Sequence, residues 1–213
     1  MQGSFPFDLI LFGMVAAFLV LRLRSVLGKR QGFERPPADA RPAGPVAMGR
    51  EAPRAAATAT AVVSPAAAQA VSRIGAVDTS FEPSAFLGGA EGAFRMIVGA
   101  FAAGDRQTLR GLLSDDTYAG FEQAITAREN GGETQRTEIR AVNTVLIDAA
   151  ELRGVVADIT VRFVTDQLNM TTSKSGEVVS GSDAITELTD LWTFQRDLSD
   201  KDPTWRLVAT RSL

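Results

Sequence analysis

The segment GVVADITVRFVTDQL, residues 154–168, decides the fold class because apolar and polar side chains alternate along it. This alternation is typical of a β-strand that turns one face to the core and the other to solvent. The pattern predicts an outward row at Asp158, Thr160 and Arg162. It also predicts an inward row with five members: Val155, Ala157, Ile159, Val161 and Phe163.

Further segments share this period of two. EIRAVNTVLIDAA, residues 138–150, predicts a strand with one shared face: Ile139, Ala141, Val145 and Ile147. The polar segment NMTTSKSGEVVSG, residues 169–181, predicts a hairpin whose turn lies at residues 174–176. Two more strands are predicted at ELTDLWTFQRDL, residues 187–198, and PTWRLVAT, residues 203–210. The sheet is therefore predicted to have about four antiparallel strands.

The last two strands hold both tryptophans of the chain. Trp192 shares a face with Phe194, and Trp205 shares a face with Leu207 and Ala209. The simplest interpretation is that the tryptophans form the wall of the sheet and carry no chemistry.

Helices are predicted before the sheet. In DTSFEPSAFLGGAEGAFRMIVGAFAAGD, residues 78–105, apolar residues recur at spacings of three and four: Phe86, Ala90, Phe94, Ile97 and Phe101. Ser84 is expected to cap this helix and Gly104 to end it, and the glycines at 88, 89, 92 and 99 suggest a kink or close backbone approach. A short helix is expected in residues 106–114. A third, from 115 to 129, has Tyr118, Phe121 and Ile125 on one face.

Together these segments predict an α+β domain with about three helices packed on a curved antiparallel sheet. A sheet wrapped around helices in this way tends to leave an apolar pocket. The residues expected to line it are Phe94, Phe101, Phe121, Ile159, Val161, Phe163, Trp192, Phe194 and Trp205.

The segment FPFDLILFGMVAAFLVLRLRSVLGKR, residues 5–30, predicts a transmembrane anchor at residues 5–21. Those seventeen residues make about 25 Å of helix, near the lower limit for a span. Basic residues follow the apolar run, the reverse of a cleaved signal peptide: Arg22, Arg24, Lys29 and Arg30. The positive-inside rule then places the C-terminal side in the cytoplasm, with the protein in a bacterial inner membrane as a single-pass protein. A buried core helix is the poorer alternative because the run is apolar on all faces.

Residues 22–78 are predicted to be a basic juxtamembrane segment followed by a tether rich in alanine and proline. This tether, from Gln31 to Asp78, has almost no large apolar side chain, so it is expected to stay disordered. REAPRAAATATAVV, residues 50–63, can form helix only transiently because threonine and proline interrupt it. The folded domain is expected at residues 79–213.

The absence of both histidine and cysteine restricts the chemistry. Thiolate or histidine metal sites and the usual catalytic triads cannot be built, so no cofactor and no metal are expected. Asp115 and Asp116 near Tyr118 are the best catalytic candidates, but paired acids at a helix start ordinarily serve the helix dipole. We therefore predict that the protein is not an enzyme.

Charge is distributed unevenly along the chain. Residues 1–80 hold nine Lys/Arg against five Asp/Glu, a net charge of +4. Residues 81–213 hold thirteen against twenty, a net charge of −7. An acidic folded half repels phosphate backbones, so nucleic-acid binding is not expected.

Two stretches carry a resemblance to a known family: AFAAGDRQTLRGLLSDDTYAGFEQAI, residues 100–125, and DLWTFQRDL with PTWRL at residues 190–198 and 203–207. Together with LRLRSVLGKR at 21–30, they resemble the forty-four kilodalton subunit of the mitochondrial inner-membrane translocase. The chain is most similar to the alphaproteobacterial, membrane-anchored TimA-type adaptor branch. The resemblance implies a conical nuclear-transport-factor-two-like fold, an apolar pocket, and a scaffold linking a seventy-kilodalton heat-shock chaperone to a membrane. The mitochondrial members carry long charged N-terminal segments, whereas this chain has a span and a neutral tether.

Three functions remain open at this point. A membrane-anchored adaptor in protein translocation or chaperone recruitment fits the span, the tether and the acidic domain. A lipid or small apolar ligand-binding module fits the predicted pocket, and a carboxylate-based enzyme on the same fold is the third. Oligomeric state and the identity of the partner are not determined by the sequence.

Overall fold

The computed structural model describes residues 62–213. The predicted anchor at residues 5–21, the basic flank and the tether up to residue 61 lie outside the described residues. Within residues 62–213, four helices precede four strands: α1 (Ala68–Val77), α2 (Pro83–Ala103), α3 (Arg106–Leu112), α4 (Asp115–Asn130), β1 (Thr134–Arg153), β2 (Val156–Thr172), β3 (Val178–Asp197) and β4 (Arg206–Ser212). The α+β class and the four-stranded antiparallel sheet are confirmed.

The strands form an antiparallel meander in the order β1-β2-β3-β4. Val161 lies opposite Ile147 on one side and Trp192 on the other, and Trp192 in turn lies opposite Thr210. The register of β1 against β2 shifts at three places. Such bulges bend a strand and increase its twist, so the edge strand β1 curves along the helical layer.

The helical layer covers one face of this sheet. Both α1 and α2 pack against β1, and α4 packs against β4. The predicted apolar face of α2 is confirmed because Phe86, Ala90, Phe94 and Ile97 are buried. Phe101, at the end of that face, is half-buried. In α4, Tyr118 and Ile125 are buried and Phe121 is half-buried.

The ends of α2 agree with the sequence prediction at one terminus only. Gly104 ends the helix in the left-handed conformation, with φ of 73°, as predicted. At the start, Glu82 and not Ser84 is the N-cap, and its carboxylate accepts a 2.7 Å hydrogen bond from the Ala85 N–H. Pro83 takes the first helical position, where its missing N–H costs nothing, so the cap lies two residues before Ser84.

The glycines of α2 do not mark close packing, and that prediction is wrong. A Cβ at any of four positions would meet no heavy atom within 4 Å: Gly88, Gly89, Gly92 and Gly99. The helix continues through all of them. These glycines therefore lie on the outer face of α2, together with the exposed Met96.

The tether prediction is wrong for residues 62–78. Ala67, Val71 and Ile74 are buried in the common core, and α1 occupies residues 68–77. Val63 forms a parallel bridge with Ile147 in the middle of β1. Small side chains can fill a shallow groove on a neighbouring element, which composition alone does not reveal. The folded part therefore begins well before Thr79.

Within the strands, the predicted inward row of β2 is confirmed from Ala157 to Phe163, where all four members are fully buried. Val155 is 44% exposed because it lies in the turn before β2. Two predicted faces are wrong because a bulge inserts an extra residue. Ala141 pairs with Asp166 instead of continuing the row of Ile139, and Ala209 pairs with Thr193 while Leu207 pairs with Phe194. A shift of one residue moves a side chain to the other face.

Candidate functional site

The predicted pocket residues meet in the interior between α2 and the sheet. Six of the nine are buried: Phe94, Ile159, Val161, Phe163, Trp192 and Phe194. The ring of Phe94 stacks on that of Phe163, with centroids 4.5 Å apart, and lies 4.6 Å from Trp192. These rings contact one another as a packed core. Their role as the lining of a ligand pocket stays a prediction.

A second group of rings continues from this core towards the surface. Trp205 lies 4.9 Å from Phe86 and 6.0 Å from Phe81, and Phe86 makes an edge contact with Phe194 at 6.2 Å. Phe81 and Trp205 are half-buried. We call Phe81, Phe86 and Trp205 the aromatic rim. Sequence reasoning missed Phe81, although it stands next to the N-cap of α2, where an apolar residue commonly packs back on the helix.

The remaining two candidates, Phe101 and Phe121, form a pair at the other end of α2, with centroids 5.1 Å apart. The Arg128 guanidinium lies 5.2 Å from the Phe101 ring and donates to the carbonyls of Phe101, at 2.7 Å, and Ala102, at 3.2 Å. Burial lowers the pKa of Arg128, although arginine remains charged. This cation satisfies the last carbonyls of α2 and complements the negative end of its dipole.

The inward row of β2 changes from apolar to polar beyond Phe163. Thr165 and Gln167 are buried on the same face, and the Gln167 amide donates to the Thr165 hydroxyl at 2.8 Å. Asn169 donates to the Gln167 side-chain carbonyl at 3.2 Å. The alternation of residues in the sequence already places 165 and 167 on the inward side. The interior therefore has an aromatic end and an amide end.

Asp190 lies at the boundary between these two ends. It is 8% exposed, lies directly opposite Phe163, and accepts a hydrogen bond from the Ser212 hydroxyl. Burial raises the pKa of Asp190, and the Ser212 hydrogen bond opposes that shift. Sequence reasoning did not select Asp190.

The catalytic candidates considered from the sequence do not form a site. Asp115 and Asp116 are exposed in the first turn of α4, where Ser114 is the N-cap and accepts from the Thr117 N–H at 3.3 Å. Tyr118 is buried beneath the Arg110 guanidinium, 4.1 Å from its ring centroid. Among residues 62–213, no group of three or more acidic side chains is placed to hold a metal ion.

A shallow polar cleft of about 210 Å³ opens at the end of the sheet where β3 leads into β4. Its lining is Ser114, Gln195, Arg196, Asp197, Asp200, Asp202, Thr204, Arg206 and Val208. Arg196 forms an ion pair with Asp78 at 3.0 Å, and both side chains are largely buried. The hydrogen bond from Ser80 and the charge of Arg196 lower the pKa of Asp78. This ion pair ties the turn between α1 and α2 to the sheet.

A family model described as the Tim44-like domain matches residues 67–212, which is more than half of the chain. The chain belongs to the Tim44-like family. The match begins one residue before α1, in agreement with the buried Ala67. The family resemblance expected from the sequence is thereby confirmed, and this family is typically one of membrane-associated adaptors.

Comparisons with individual proteins add two findings about this Tim44-like chain. The crystal structure of the intermembrane space region of chloroplast protein ARC6 is similar with a TM-score of 0.43 at 9% identity, covering 58% of this chain and 93% of that one. No curated protein sequence matches. The basic residues predicted to flank the anchor, Arg22, Arg24, Lys29 and Arg30, lie outside the described residues.

Proposed function

We propose that this chain is a membrane-anchored, non-catalytic adaptor that acts in protein translocation or chaperone recruitment at a bacterial inner membrane. The observation that carries the proposal is the presence of a Tim44-like domain at residues 67–212 in a chain whose residues 9–21 have no charged side chain. A domain of this family next to a predicted span is the arrangement that a membrane scaffold requires. The nuclear-transport-factor-two-like conical fold is part of this proposal.

The anchor is proposed to be uncleaved, with the Tim44-like domain in the cytoplasm. Arg22, Arg24, Lys29 and Arg30 follow the apolar run and favour retention of that side in the cytoplasm. Since residues 62–78 belong to the folded part, the proposed tether is limited to residues 31–61. A flexible chain of that length has a root-mean-square reach of about 30 Å. The domain is thus concentrated in a thin layer beside the membrane.

The aromatic rim is the proposed contact for an apolar peptide segment or an acyl chain. Phe81 and Trp205 are half-buried, and their rings join the buried rings of Phe86 and Phe194. An aromatic group that is already held in place on one side loses little side-chain entropy when a ligand covers the other side. The rim therefore suits weak binding that depends little on salt.

A heat-shock chaperone is proposed to bind the acidic surface of the same domain. Residues 81–213 carry a net charge of −7. Contacts between exposed charges weaken as salt shortens the Debye length below about 8 Å, its value at physiological ionic strength. Rim binding and chaperone binding are therefore distinguishable by a salt titration.

The test is a reconstitution in which full-length chain is placed in vesicles and mixed with a purified seventy-kilodalton heat-shock chaperone. We expect the chaperone to float with the vesicles, in a nucleotide-dependent manner, and to be released at high salt. Trp205→Ala should leave this retention intact while it weakens binding of an apolar peptide. Failure to retain chaperone or peptide, together with turnover of a small substrate, would replace the adaptor proposal with an enzymatic one.

A lipid-binding module is the second candidate, and one observation favours it. Among the described residues, α2 is the helix long and apolar enough to cross a membrane, and only 33% of that apolar stretch is buried. Its outer face, with Gly88, Gly92 and the 52% exposed Met96, is open.

A protease site placed in the tether allows the domain to be cut from anchored vesicles. If lipid binding is the function, the released domain stays on vesicles, and Met96→Glu frees it whereas Val77→Glu, at a residue 51% exposed on α1, does not.

A further inference from the structure

One edge of the sheet is left open along more than half of strand β3. Strand β4 pairs only with Asp190–Gln195, although β3 extends back to Val178. Every residue from Val178 to Glu187 except Ser180 is exposed. We call residues 178–188 the open edge. Three of its exposed residues are large and apolar: Val178, Val179 and Ile185.

The main chain of the open edge offers hydrogen-bonding groups. The Leu213 N–H donates to the Thr189 carbonyl at 2.9 Å, so Thr189 directs its main-chain groups towards the β4 side. Alternate residues of a strand direct these groups to the same side, and no register shift separates Thr189 from Glu187. Glu187 therefore presents its N–H and carbonyl at the open edge. Within residues 62–213, neither group has a main-chain partner on that side.

The other two sheet edges are protected, which sets the open edge apart. On β1, Val63 bridges Ile147, and Arg136, Glu138 and Arg140 form ion pairs along the strand. On β4, the Ser114 N–H donates to the Leu207 carbonyl at 2.9 Å. Bulges, charges and covering segments are the usual devices that prevent a sheet edge from pairing with another chain.

The charges beside the open edge favour a basic partner. Glu187 lies directly opposite Asp166, and like charges in that position repel. Glu151 and Asp158 form the same kind of pair elsewhere in the sheet, but there Arg153 contacts both carboxylates. No Lys or Arg among the described residues forms an ion pair with Asp166 or Glu187. A cation placed beside Glu187 would offset the repulsion between the Glu187 and Asp166 carboxylates.

A second copy of the chain fits this edge poorly. The segment EVVSGSDAITELT, residues 177–189, contains three acids and no base: Glu177, Asp183 and Glu187. Each segment carries three carboxylates and no cation, so two copies repel each other when these segments pair. The occupant is therefore expected to be a different polypeptide.

We propose that the open edge binds an extended polypeptide segment of a partner protein, which adds to β3 in line with β4 and places a Lys or Arg opposite Glu187. Main-chain hydrogen bonds supply the affinity, and alternate side chains supply the selectivity. The basic residue of the partner lies on the same face of the sheet as Asp166 and Glu187. The partner residues on either side of it lie on the opposite face, beside Leu188 and Thr186. This surface is separate from the aromatic rim and does not depend on the adaptor proposal.

The test uses full-length chain in detergent and synthetic peptides of alternating valine and threonine with one central lysine. We expect the peptide to protect the main chain of residues 178–188 from hydrogen exchange. Replacing the lysine by glutamate should weaken binding about fivefold. Methylating the peptide nitrogens that face the edge should abolish binding, whereas methylating the alternate nitrogens should not, because only one set donates to β3.

Matched variants of the protein complete the test. Glu187→Lys should reverse the preference, so that the glutamate peptide binds better than the lysine peptide. Glu151→Lys, at the compensated pair on the other side of the sheet, should leave binding unchanged. Protection elsewhere than residues 178–188, equal binding of both methylated peptides, or protection that rises with protein concentration in the absence of peptide each overturn the proposal. The last result would show that a second copy occupies the edge.

Discussion

The two halves of strand β2 differ in what covers them, although they belong to one continuous strand. From Ala157 to Phe163 the inward side chains are apolar, fully buried and covered by aromatic rings of α2 and β3. From Thr165 onwards the inward side chains are hydroxyls and amides bonded to one another. The change coincides with the end of β4 beside Asp190. The aromatic half is close-packed, and beside the amide half the edge of β3 has no partner strand among the described residues.

The largest effect should come from truncating the aromatic half. Phe163→Ala or Trp192→Ala is expected to lower the free energy of unfolding by about 3–5 kcal/mol, because each leaves a cavity in a close-packed interior. Val179→Ala, on the open edge, should change it by less than about 0.5 kcal/mol. Urea unfolding measures the free energy of unfolding of the core variants and of Val179→Ala. Equal losses at the two sites would show that the halves do not differ in stability.

Removal of α1 should have the next largest effect. A chain that begins at Thr79 lacks Ala67, Val71 and Ile74, which are buried in the core. We expect it to unfold at a lower urea concentration than a chain that begins at Val62, with a loss of at least about 3 kcal/mol. If the two midpoints coincide, α1 contributes nothing and the folded domain begins where the sequence pattern placed it.

A smaller effect is expected at Gly181 on the open edge, which pairs with Met170 between two register shifts of β3. Gly181 has φ of 77°, and a Cβ there would overlap the carbonyl oxygen of Asn169. Gly181→Ala should cost about 2 kcal/mol and increase hydrogen exchange in the neighbouring hairpin. Gly176→Ala is the matched control, because Gly176 has φ of 86° but open space around it. A similar cost at both positions would mean that backbone strain alone, and not the contact with Asn169, constrains residue 181.

The smallest effect concerns pH. Because burial raises the pKa of Asp190, the stability linked to its neutral form is complete below the ordinary aspartate pKa and is lost as the pH rises through the pKa of the folded state. Wild-type protein should therefore lose stability relative to Asp190→Asn as the pH rises from the ordinary aspartate pKa through the raised pKa of the folded state. Wild-type protein and Asp190→Asn share all other carboxylates, so the contributions of these groups cancel in the stability difference between the two proteins. A constant difference across this range would contradict the raised pKa.

The sequence predicts well those parts of the fold that depend on local periodicity. Ala157 to Phe163 follow a period of two, and Phe86 to Ile97 follow a helical period, so both buried faces were assigned correctly. Ala141 and Ala209 were placed on the wrong face because a bulge inserts one residue without a local signal. The helix α1 was missed because its burial depends on packing against β1, far away in the sequence.

The candidate site was predicted less completely than the fold. The aromatic candidates were found because large apolar side chains at inward positions stand out in a pattern. Thr165 and Gln167 occupy inward positions of the same row, but a polar side chain in a strand pattern does not reveal whether it is buried and hydrogen-bonded or exposed. The position of Asp190 depends on the register of three strands. Its pairing with Phe163 and with Ser212 places its carboxyl between the aromatic and amide ends.

The most direct measurement is photo-crosslinking in native membranes from three single positions of the full-length chain. A photoreactive residue replaces Trp205 at the aromatic rim, Met96 on the outer face of α2, or Val77 on α1 as an exposed control. If the protein is an adaptor, position 205 at the aromatic rim forms adducts with an apolar polypeptide segment, and positions 96 and 77 form no polypeptide adduct. Lipid adducts at 96 and 205, with no polypeptide adduct at 205, would contradict the adaptor function and favour the lipid-binding module.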